Sequence, residues 1–351
     1  MPAPVLAPAL QPGATVAVVS TSWQGIAVLP ERAARAVAAV ESLGHPVRLM
    51  PHAAAAGDGV RDWVAGPPAD RAADLHAAFA DPDVGLVLSA IGGNHSGQLL
   101  EYLDFDLIAA HPKPFCGYSD TTTMLHAIHA RTGLVTIYGP ALLPEFGEIG
   151  GPDAEVVDWL LRIVCDPTTP GALPRVGWQA SEDRAATDAE GRARRRIRGE
   201  PRTVLRSGVG SGPLLPGCLP ILRNLADTGY EPEYAGRILL VEPPEPPYDP
   251  ELADADLTWL RTSGRLEDLA GLVLARSDGW AATAVEQWHR CALDAARGYR
   301  YPVLAGVETG HPAPMLAVPV GAPGRIEGED LIIEGPAVVE ASPQLRLRRG
   351  R

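Results

Sequence analysis

Cysteines are few in this 351-residue sequence, and none of them forms a redox or zinc motif. The four are dispersed without a Cys-x-x-Cys pair, at Cys116, Cys165, Cys218 and Cys291. This spacing argues against a zinc ribbon or a dithiol pair and predicts free thiols in a reducing compartment. His, Cys and Asp clusters at metal-ligand spacing are also missing, so we predict no metal and no other cofactor.

Long apolar runs and an excess of positive charge are missing as well. No stretch is long enough to span a bilayer, and residues 1–11 lack the basic region and apolar core of a secretory signal. The formal net charge is −13, from 43 acidic and 30 basic residues. The electrostatic field of a protein with this negative charge disfavours nucleic acid and anionic membranes as partners. We therefore expect a cytoplasmic protein with a small-molecule partner.

Aromatic residues are scarce, at 5%, although hydrophobic residues reach 46%. Ala, Val and Leu must therefore build most of the core. The length predicts two domains. Glycine and proline, at 37 and 35 residues, predict many ordered turns.

Apolar runs alternate with helical patterns through the first half of the chain. The run at 14–20, the helical pattern after Pro30 and a second run at 46–50 form a β-α-β unit, which is typical of parallel sheets. We predict an α/β fold. Its domains are an open parallel-sheet N-terminal domain of Rossmann or flavodoxin type at 1–165, a linker and substrate flap at 166–211, and a smaller C-terminal α/β domain at 212–351.

A Gly-x-Gly-x-x-Gly dinucleotide fingerprint is missing, which disfavours a nicotinamide cofactor. The pair Gly92-Gly93 follows a buried strand instead, where glycine lets the backbone turn sharply or approach a ligand. Ligands of parallel sheets bind at the carboxyl ends of the strands. This turn is therefore a candidate binding element.

Ser119 lies in a second turn at a strand end. The pattern at 114–125 predicts a strand, a tight turn and a helix, so the hydroxyl lies near a helix N-terminus that favours negative charge. A nucleophilic serine needs this arrangement. The match to Gly-x-Ser-x-Gly is incomplete because Thr121 replaces the second glycine. Within this stretch alone, an ordinary helix cap is the favoured interpretation.

A serine nucleophile also needs a base and a group that orients the base. His311 is the best candidate of the nine histidines because it follows a strand and lies in a proline-rich loop; His95, beside the glycine pair, is a second candidate. Glu242 ends an apolar run, where a buried carboxylate requires a partner such as a histidine.

The segment after residue 165 holds two further candidates. The basic run 192–198 is best interpreted as a solvated loop, with a mobile flap that presents charge to an anionic substrate group as the alternative. Trp178 is either a packing anchor or a platform for a flat ligand.

Together these motifs resemble the LD-carboxypeptidase family of serine peptidases over most of the chain. The matching segments are Gly117-Tyr118-Ser119-Asp120, Leu240-Val241-Glu242 and Gly310-His311-Pro312-x-Pro314. The resemblance implies a triad of Ser119, Glu242 and His311. It also implies an oxyanion hole of backbone N–H groups at Gly92 or Gly93 and at Asp120, and a homodimer.

The family has two main branches. One cleaves murein tetrapeptides, and the other, the microcin C immunity branch, cuts the amide between an aminoacyl group and a nucleotide-like moiety. Segments 91–100 and 102–108 resemble the second branch more. There a loop aromatic stacks on the base, a role that the resemblance gives to Trp178; Asn94 is a further candidate contact. Cys218 stands where the family usually has Asn, a departure that affects substrate contacts.

These observations predict a serine peptidase or amidase acting on aminoacyl- or peptidyl-nucleotides. Within the family, a murein tetrapeptide LD-carboxypeptidase is the second hypothesis. Two hypotheses of a different class stay open: a noncatalytic ligand-binding protein on the same scaffold, and a nucleotide- or sugar-binding enzyme that uses the parallel sheet.

Overall fold

The computed structural model describes residues 2–341, so the last ten residues of the predicted C-terminal domain lie outside the described residues. The helices are α1 Gly25–Val28, α2 Pro30–Ser42, α3 Pro68–Ala80, α4 Phe105–Ala110, α5 Thr122–Thr132, α6 Ala154–Cys165, α7 Arg184–Ala189, α8 Pro250–Thr262 and α9 Ala282–Ala295. Short 3-10 helices cover Ser96–Tyr102, Ser119–Thr121 and Leu219–Leu225, and one π-helical turn covers Leu142–Phe146. Within 2–341, no helix is both long and apolar enough to cross a membrane.

The strands number eighteen within the described residues. They are β1 Ala7–Pro8, β2 Thr15–Val19, β3 Val47–Leu49, β4 Val84–Ser89, β5 Phe115–Gly117, β6 Thr136–Tyr138, β7 Gly171–Ala172, β8 Trp178–Gln179, β9 Ile197–Arg198, β10 Thr203–Arg206, β11 Val209–Cys218, β12 Ile238–Glu242, β13 Gly271–Ala275, β14 Val303–Val307, β15 Val318–Val320, β16 Pro323–Glu327, β17 Asp330–Ile333 and β18 Val338–Val339.

Six strands form the first sheet, in the order β15-β6-β5-β4-β2-β3. All neighbours are parallel except β15, which pairs antiparallel with β6. Strands β2, β4 and β5 are buried along nearly their whole length, which explains their continuous apolar sequences. The predicted N-terminal parallel-sheet domain is confirmed.

Eight strands form the second sheet, in the order β10-β14-β13-β12-β11-β16-β17-β7. Strands β11 to β14 are parallel, and the flanking strands are antiparallel. The parallel centre brings the carboxyl ends of β12, β13 and β14 to one edge. This mixed sheet confirms the predicted second α/β domain.

Two strands were not expected where they lie. Strand β11, in the middle of the second sheet, was missed because glycine and proline interrupt its sequence. Gly212 is required there, since a Cβ at this position would lie 2.1 Å from the Gly236 carbonyl oxygen. Strand β15, from the last third of the chain, joins the first sheet by pairing Val318 with Tyr138; such long-range pairing leaves no local sequence signal.

The predicted linker and flap, residues 166–211, contains more structure than its composition indicates. It holds α7 and four short strands, of which β7 and β10 form the two edges of the second sheet. These strands are only two to four residues long, too short to leave a periodic pattern in the sequence.

Candidate active site

A cleft of about 600 Å³ is lined by residues at the carboxyl ends of strands from both sheets. The first sheet contributes Gly92 and Ser119, which follow β4 and β5. The second sheet contributes Asp278 and His311, which follow β13 and β14. Both sheets thus deliver polar groups to one cavity, as expected for strand ends in α/β folds.

Ser119 has a strained backbone. Its φ is +59°, a region that non-glycine residues rarely occupy. The residue is half-buried and begins the short 3-10 helix Ser119–Thr121, which leads into α5. The strand, sharp turn and helix of the sequence prediction are present, and the turn directs Ser119 into the cleft.

Gly92 lies directly against Ser119. A Cβ on Gly92 would lie 2.7 Å from the Ser119 Cβ, 2.8 Å from its Oγ and 3.3 Å from the backbone nitrogen of Asp120. Only glycine therefore allows this approach. Gly93 has φ +140°, and its Cβ would lie 2.4 Å from Ser22 Oγ. The Gly92 backbone therefore lies beside Ser119 Oγ, and that of Gly93 packs against Ser22.

Asp120 ties the two turns together. Its buried carboxylate accepts hydrogen bonds from the backbone nitrogens of His95 and Ser96, both at 2.8 Å. Ser96 Oγ donates to the Asp120 carbonyl oxygen at 2.7 Å. The side chain thus has a positioning role that the sequence did not indicate. His95 contributes its backbone here, and its ring contacts Trp63.

His311 and Glu242 form a buried pair. His311 Nδ1 lies 2.7 Å from Glu242 Oε2, and Tyr138 donates its hydroxyl to Glu242 Oε1 at 2.6 Å. Gly310 permits this packing, because a Cβ there would lie 3.0 Å from Glu242 Oε2. Glu242 is fully buried, so the histidine supplies the partner that its position at the end of β12 requires.

The other ring nitrogen of His311 faces a second carboxylate. His311 Nε2 lies 2.8 Å from Glu245 Oε2, and within the described residues no hydrogen bond joins His311 to Ser119. Burial alone would lower the pKa of His311, but Glu242 and Glu245 outweigh it and raise that pKa to about 10. Burial would likewise raise the pKa of Glu245, but His311 lowers it to about 2. The ring is therefore an imidazolium in this arrangement, held between two carboxylates.

One wall of the cleft comes from the predicted flap. Residues 181–185 and Asp188 line the cavity. Arg184 donates to the carbonyl oxygen of His311 at 3.1 Å, and Asp188 pairs with Arg32 of α2 at 2.7 Å. These contacts fix α7 and the residues before it over the site.

The basic run 192–198 is largely neutralised within the chain. Arg192 pairs with Glu182 at 3.0 Å, and buried Arg194 pairs with Glu148 at 3.1 Å. Arginine pairs of this kind hold the flap and its neighbours in place rather than presenting charge to the cleft.

The structure brings Asn94 to the cleft but not Trp178. Asn94 is an exposed residue of the lining. The Trp178 ring is covered by the Arg196 guanidinium, 3.9 Å from the ring centroid, and its Nε1 donates to Glu155. Trp178 therefore acts as a packing anchor here. The tryptophan of the cleft is Trp23, after β2, which the sequence pattern did not single out.

Cys218 lies beside the buried pair rather than in the lining of the cleft. It is the register partner of Glu242 across β11 and β12, and its backbone nitrogen donates to Thr122 Oγ1 at 3.2 Å. Burial, with a smaller effect of Glu242, raises the pKa of its thiol well above the usual value. A neutral thiol at this position adds no charge to the site.

Comparison with known proteins identifies the family of this chain. Residues 16–139 match the family described as LD-carboxypeptidase N-terminal domain, and residues 211–326 match the LD-carboxypeptidase C-terminal domain. Two Bacillus subtilis proteins are each 31% identical. One is the putative carboxypeptidase YocD, over 91% of this chain and 94% of that protein; the other is a probable murein peptide carboxypeptidase, over 89% and 88%.

A third relative is the microcin C7 self-immunity protein MccF of Escherichia coli, 28% identical over 72% of this chain and 74% of that protein. Its structure in complex with glutamyl sulfamoyl guanosine has a TM-score of 0.86 at 24% identity, covering 95% of this chain and all of that one. The fold is therefore shared along nearly the whole length. The chain belongs to the LD-carboxypeptidase family, peptidase S66, a family of serine carboxypeptidases.

Proposed function

We propose that this hydrolase cuts an amide bond through Ser119, His311 and Glu242, and that its substrate is an aminoacyl- or peptidyl-nucleotide. The observation that carries the proposal is the meeting in one cleft of a strained, half-buried serine and a histidine whose Nδ1 is held by a buried carboxylate. Strain at a turn of this kind is typical of functional serines.

The proposed reaction uses these groups in turn. With Nε2 free of Glu245, neutral His311 takes the Ser119 proton as Oγ attacks the carbonyl carbon. Glu242 stabilises the imidazolium, and Tyr138 fixes Glu242. Backbone N–H groups at Gly92 or Gly93 and at Asp120 stabilise the oxyanion. His311 then protonates the leaving nitrogen, and water releases the acyl group from Ser119 by the reverse sequence.

The nucleotide part of the proposal has two supports. Structures of MccF include complexes with aspartyl sulfamoyl adenosine, glutamyl sulfamoyl guanosine and adenosine monophosphate. In this chain Trp23 presents an aromatic ring to the cleft, and bases stack well on such rings. Asn94 lies on the same part of the lining and can donate to a polar group of the ligand.

A murein tetrapeptide is the second candidate substrate, because the Bacillus subtilis relative at 31% identity is named a probable murein peptide carboxypeptidase. An assay with purified protein offers an LD-tetrapeptide and a set of aminoacyl sulfamoyl adenosines side by side, with Ser119→Ala as the control. The proposal is supported if the wild type cleaves the nucleoside compounds and Ser119→Ala does not. Cleavage of the tetrapeptide alone would assign the function to the murein branch.

Failure to cleave either compound, together with no reaction of Ser119 with a fluorophosphonate probe, would contradict an amide hydrolase. That result would favour the noncatalytic binding protein instead.

A further inference from the structure

Two carboxylates that the proposed reaction does not use face His311 from the cleft. Glu245 contacts Nε2 at 2.8 Å, and its side chain is 58% exposed. Asp278 follows β13 in the same lining and is only 7% exposed. The Ser181 side chain interacts with its carboxylate, yet Oδ1 has no hydrogen-bond partner within the described residues. A buried carboxylate oxygen without a donor is unfavourable, so this position favours a ligand that supplies one.

The other acids of the lining already have partners. Asp188 pairs with Arg32 and with Arg35, at 2.7 and 2.8 Å. Glu182 pairs with Arg192 at 3.0 Å, and Asp183 caps α7 by accepting from Ala186.

Arg184, an arginine of the same lining, also has acidic partners. Arg184 lies 3.4 Å from both Glu145 and Glu148, so its charge is shared with acids behind the cleft wall. Within residues 2–341, the one direct ion pair of Glu245 or Asp278 is therefore that of Glu245 with the imidazolium. Burial raises the pKa of Asp278, and a bound cation would favour its ionised form. An acidic substrate group placed there would be repelled, and an ammonium or guanidinium group would be attracted.

We propose that Glu245 and Asp278 form a subsite for a positively charged side-chain amine or guanidine on the acyl part of the substrate, next to the scissile amide. The cation takes Glu245 as its partner, and the imidazolium then releases its Nε2 proton to solvent. A cationic substrate thus both fills the subsite and frees His311 Nε2 to accept the proton of Ser119. The inference rests on the proposed amide hydrolysis and adds the charge of the substrate.

Three matched substrates test the subsite: lysyl, norleucyl and glutamyl sulfamoyl adenosine, which differ in side-chain charge. For the wild type, kcat/KM for the lysyl compound should exceed that for the norleucyl compound by about tenfold, since a hydrogen-bonded ion pair contributes on that order. The glutamyl compound should be the poorest. Equal values for the three compounds would overturn the subsite while leaving the amide hydrolase intact.

Charge variants sharpen the test. Glu245→Gln and Asp278→Asn should each reduce the preference for lysyl over norleucyl, and Glu245→Lys should make glutamyl the better substrate. Since Glu245 also touches His311, the ratio between substrates is the readout, not the absolute rate. A preference that all three variants leave unchanged would overturn the assignment.

A binding measurement separates this inference from the proposed function. Calorimetry with Ser119→Ala needs no turnover, so it tests the subsite even if no compound is cleaved. The lysyl compound should bind about tenfold more tightly than the norleucyl one. Equal affinity, or no binding of either compound, would overturn the subsite.

Discussion

The two edges of the cleft are built by different physical means. On the first sheet the site depends on backbone: Ser119 has φ +59°, Gly92 packs against it without a Cβ, and Asp120 ties the turns through backbone nitrogens. On the second sheet the site depends on charge, with Glu242, Glu245 and His311 in direct contact. Backbone geometry fixes the position of Ser119, the proposed nucleophile, whereas neighbouring charges set the protonation of His311, the proposed base.

The backbone side should be the more sensitive to a single methyl group. Gly92→Ala would place a Cβ 2.7 Å from the Ser119 Cβ, so the turn must shift and the oxyanion donors with it. We expect kcat/KM to fall by about 10²-fold, the effect of losing one oxyanion donor. Gly97→Ala is the matched control, because a Cβ there meets nothing within 4 Å. Equal activity of the two variants would remove Gly92 from the site.

The charged side should respond to pH. His311 acts as a base only when neutral, and the two carboxylates raise its pKa to about 10, so wild-type kcat/KM should rise with pH towards that value. Glu245→Gln removes one of the two carboxylates that raise the pKa of His311. The rise of kcat/KM should therefore move to lower pH by roughly 1–3 units. The variant keeps the other titratable or charged neighbours of His311 within the described residues, namely Glu242, Tyr118, Asp278 and Arg184.

The free energy of unfolding should also depend on the protonation of His311. The folded pKa of His311 lies above its usual value of 6.5, so its contribution is fully present below pH 6.5 and is lost as pH rises towards 10. The free energy of unfolding of the wild type minus that of Glu245→Gln should therefore shrink over this range. A difference that stays constant from pH 6.5 to 10 would show that Glu245 does not set the protonation of His311.

The hydrogen bond that orients Glu242 should affect activity less than the charges around His311 do. Tyr138→Phe removes the hydroxyl that donates to Glu242 at 2.6 Å. We expect a loss of about 1.5–3 kcal/mol in unfolding free energy, because a buried hydrogen bond to a charged group disappears, and about a tenfold fall in kcat/KM. Tyr234→Phe is the control, since the buried Tyr234 hydroxyl has no hydrogen-bond partner within the described residues. Similar losses in both variants would argue against a specific role for Tyr138.

The two edges also differ in how well the sequence predicted them. Glu242 ends an apolar run, where a buried carboxylate requires a partner, and His311 follows another such run. The positive φ of Ser119 and the approach of Gly92 to it are tertiary features, which a turn pattern indicates only loosely. Glu245 and Asp278 were missed because exposed and loop carboxylates are common, and their place in one cleft with His311 depends on the alignment of β12 to β14.

The same difference between local and long-range signals explains which parts of the fold were predicted. Strands with continuous apolar sequences, such as β2, β4 and β12, were predicted because burial on both faces leaves a clear pattern. Strand β11 was missed because Gly212 and its neighbouring prolines are typical of a loop. The place of β15 in the first sheet depends on pairing over 180 residues of sequence separation at Val318 and Tyr138 (318 − 138). No local pattern carries that information.

The smallest effect is expected at the tryptophan that the family resemblance favoured. Trp178 lies outside the cleft, so Trp178→Phe should change kcat/KM less than about twofold. Trp23→Ala should weaken binding of aminoacyl sulfamoyl adenosines by about tenfold, as loss of one base-stacking contact does. Equilibrium binding to both variants in the Ser119→Ala background measures this contrast. A larger loss for Trp178→Phe than for Trp23→Ala would restore the base-stacking role to Trp178.

The proposed reaction requires that His311 activates Ser119 as a nucleophile. Mass spectrometry after exposure to a fluorophosphonate probe tests it directly, in the wild type, Ser119→Ala and His311→Gln. We predict one adduct on the Ser119 peptide of the wild type, none in Ser119→Ala, and labelling at least about 10²-fold slower in His311→Gln. Folding of each variant is checked by its circular dichroism spectrum. Equal labelling of Ser119→Ala, or no adduct on folded wild type, would contradict the claim.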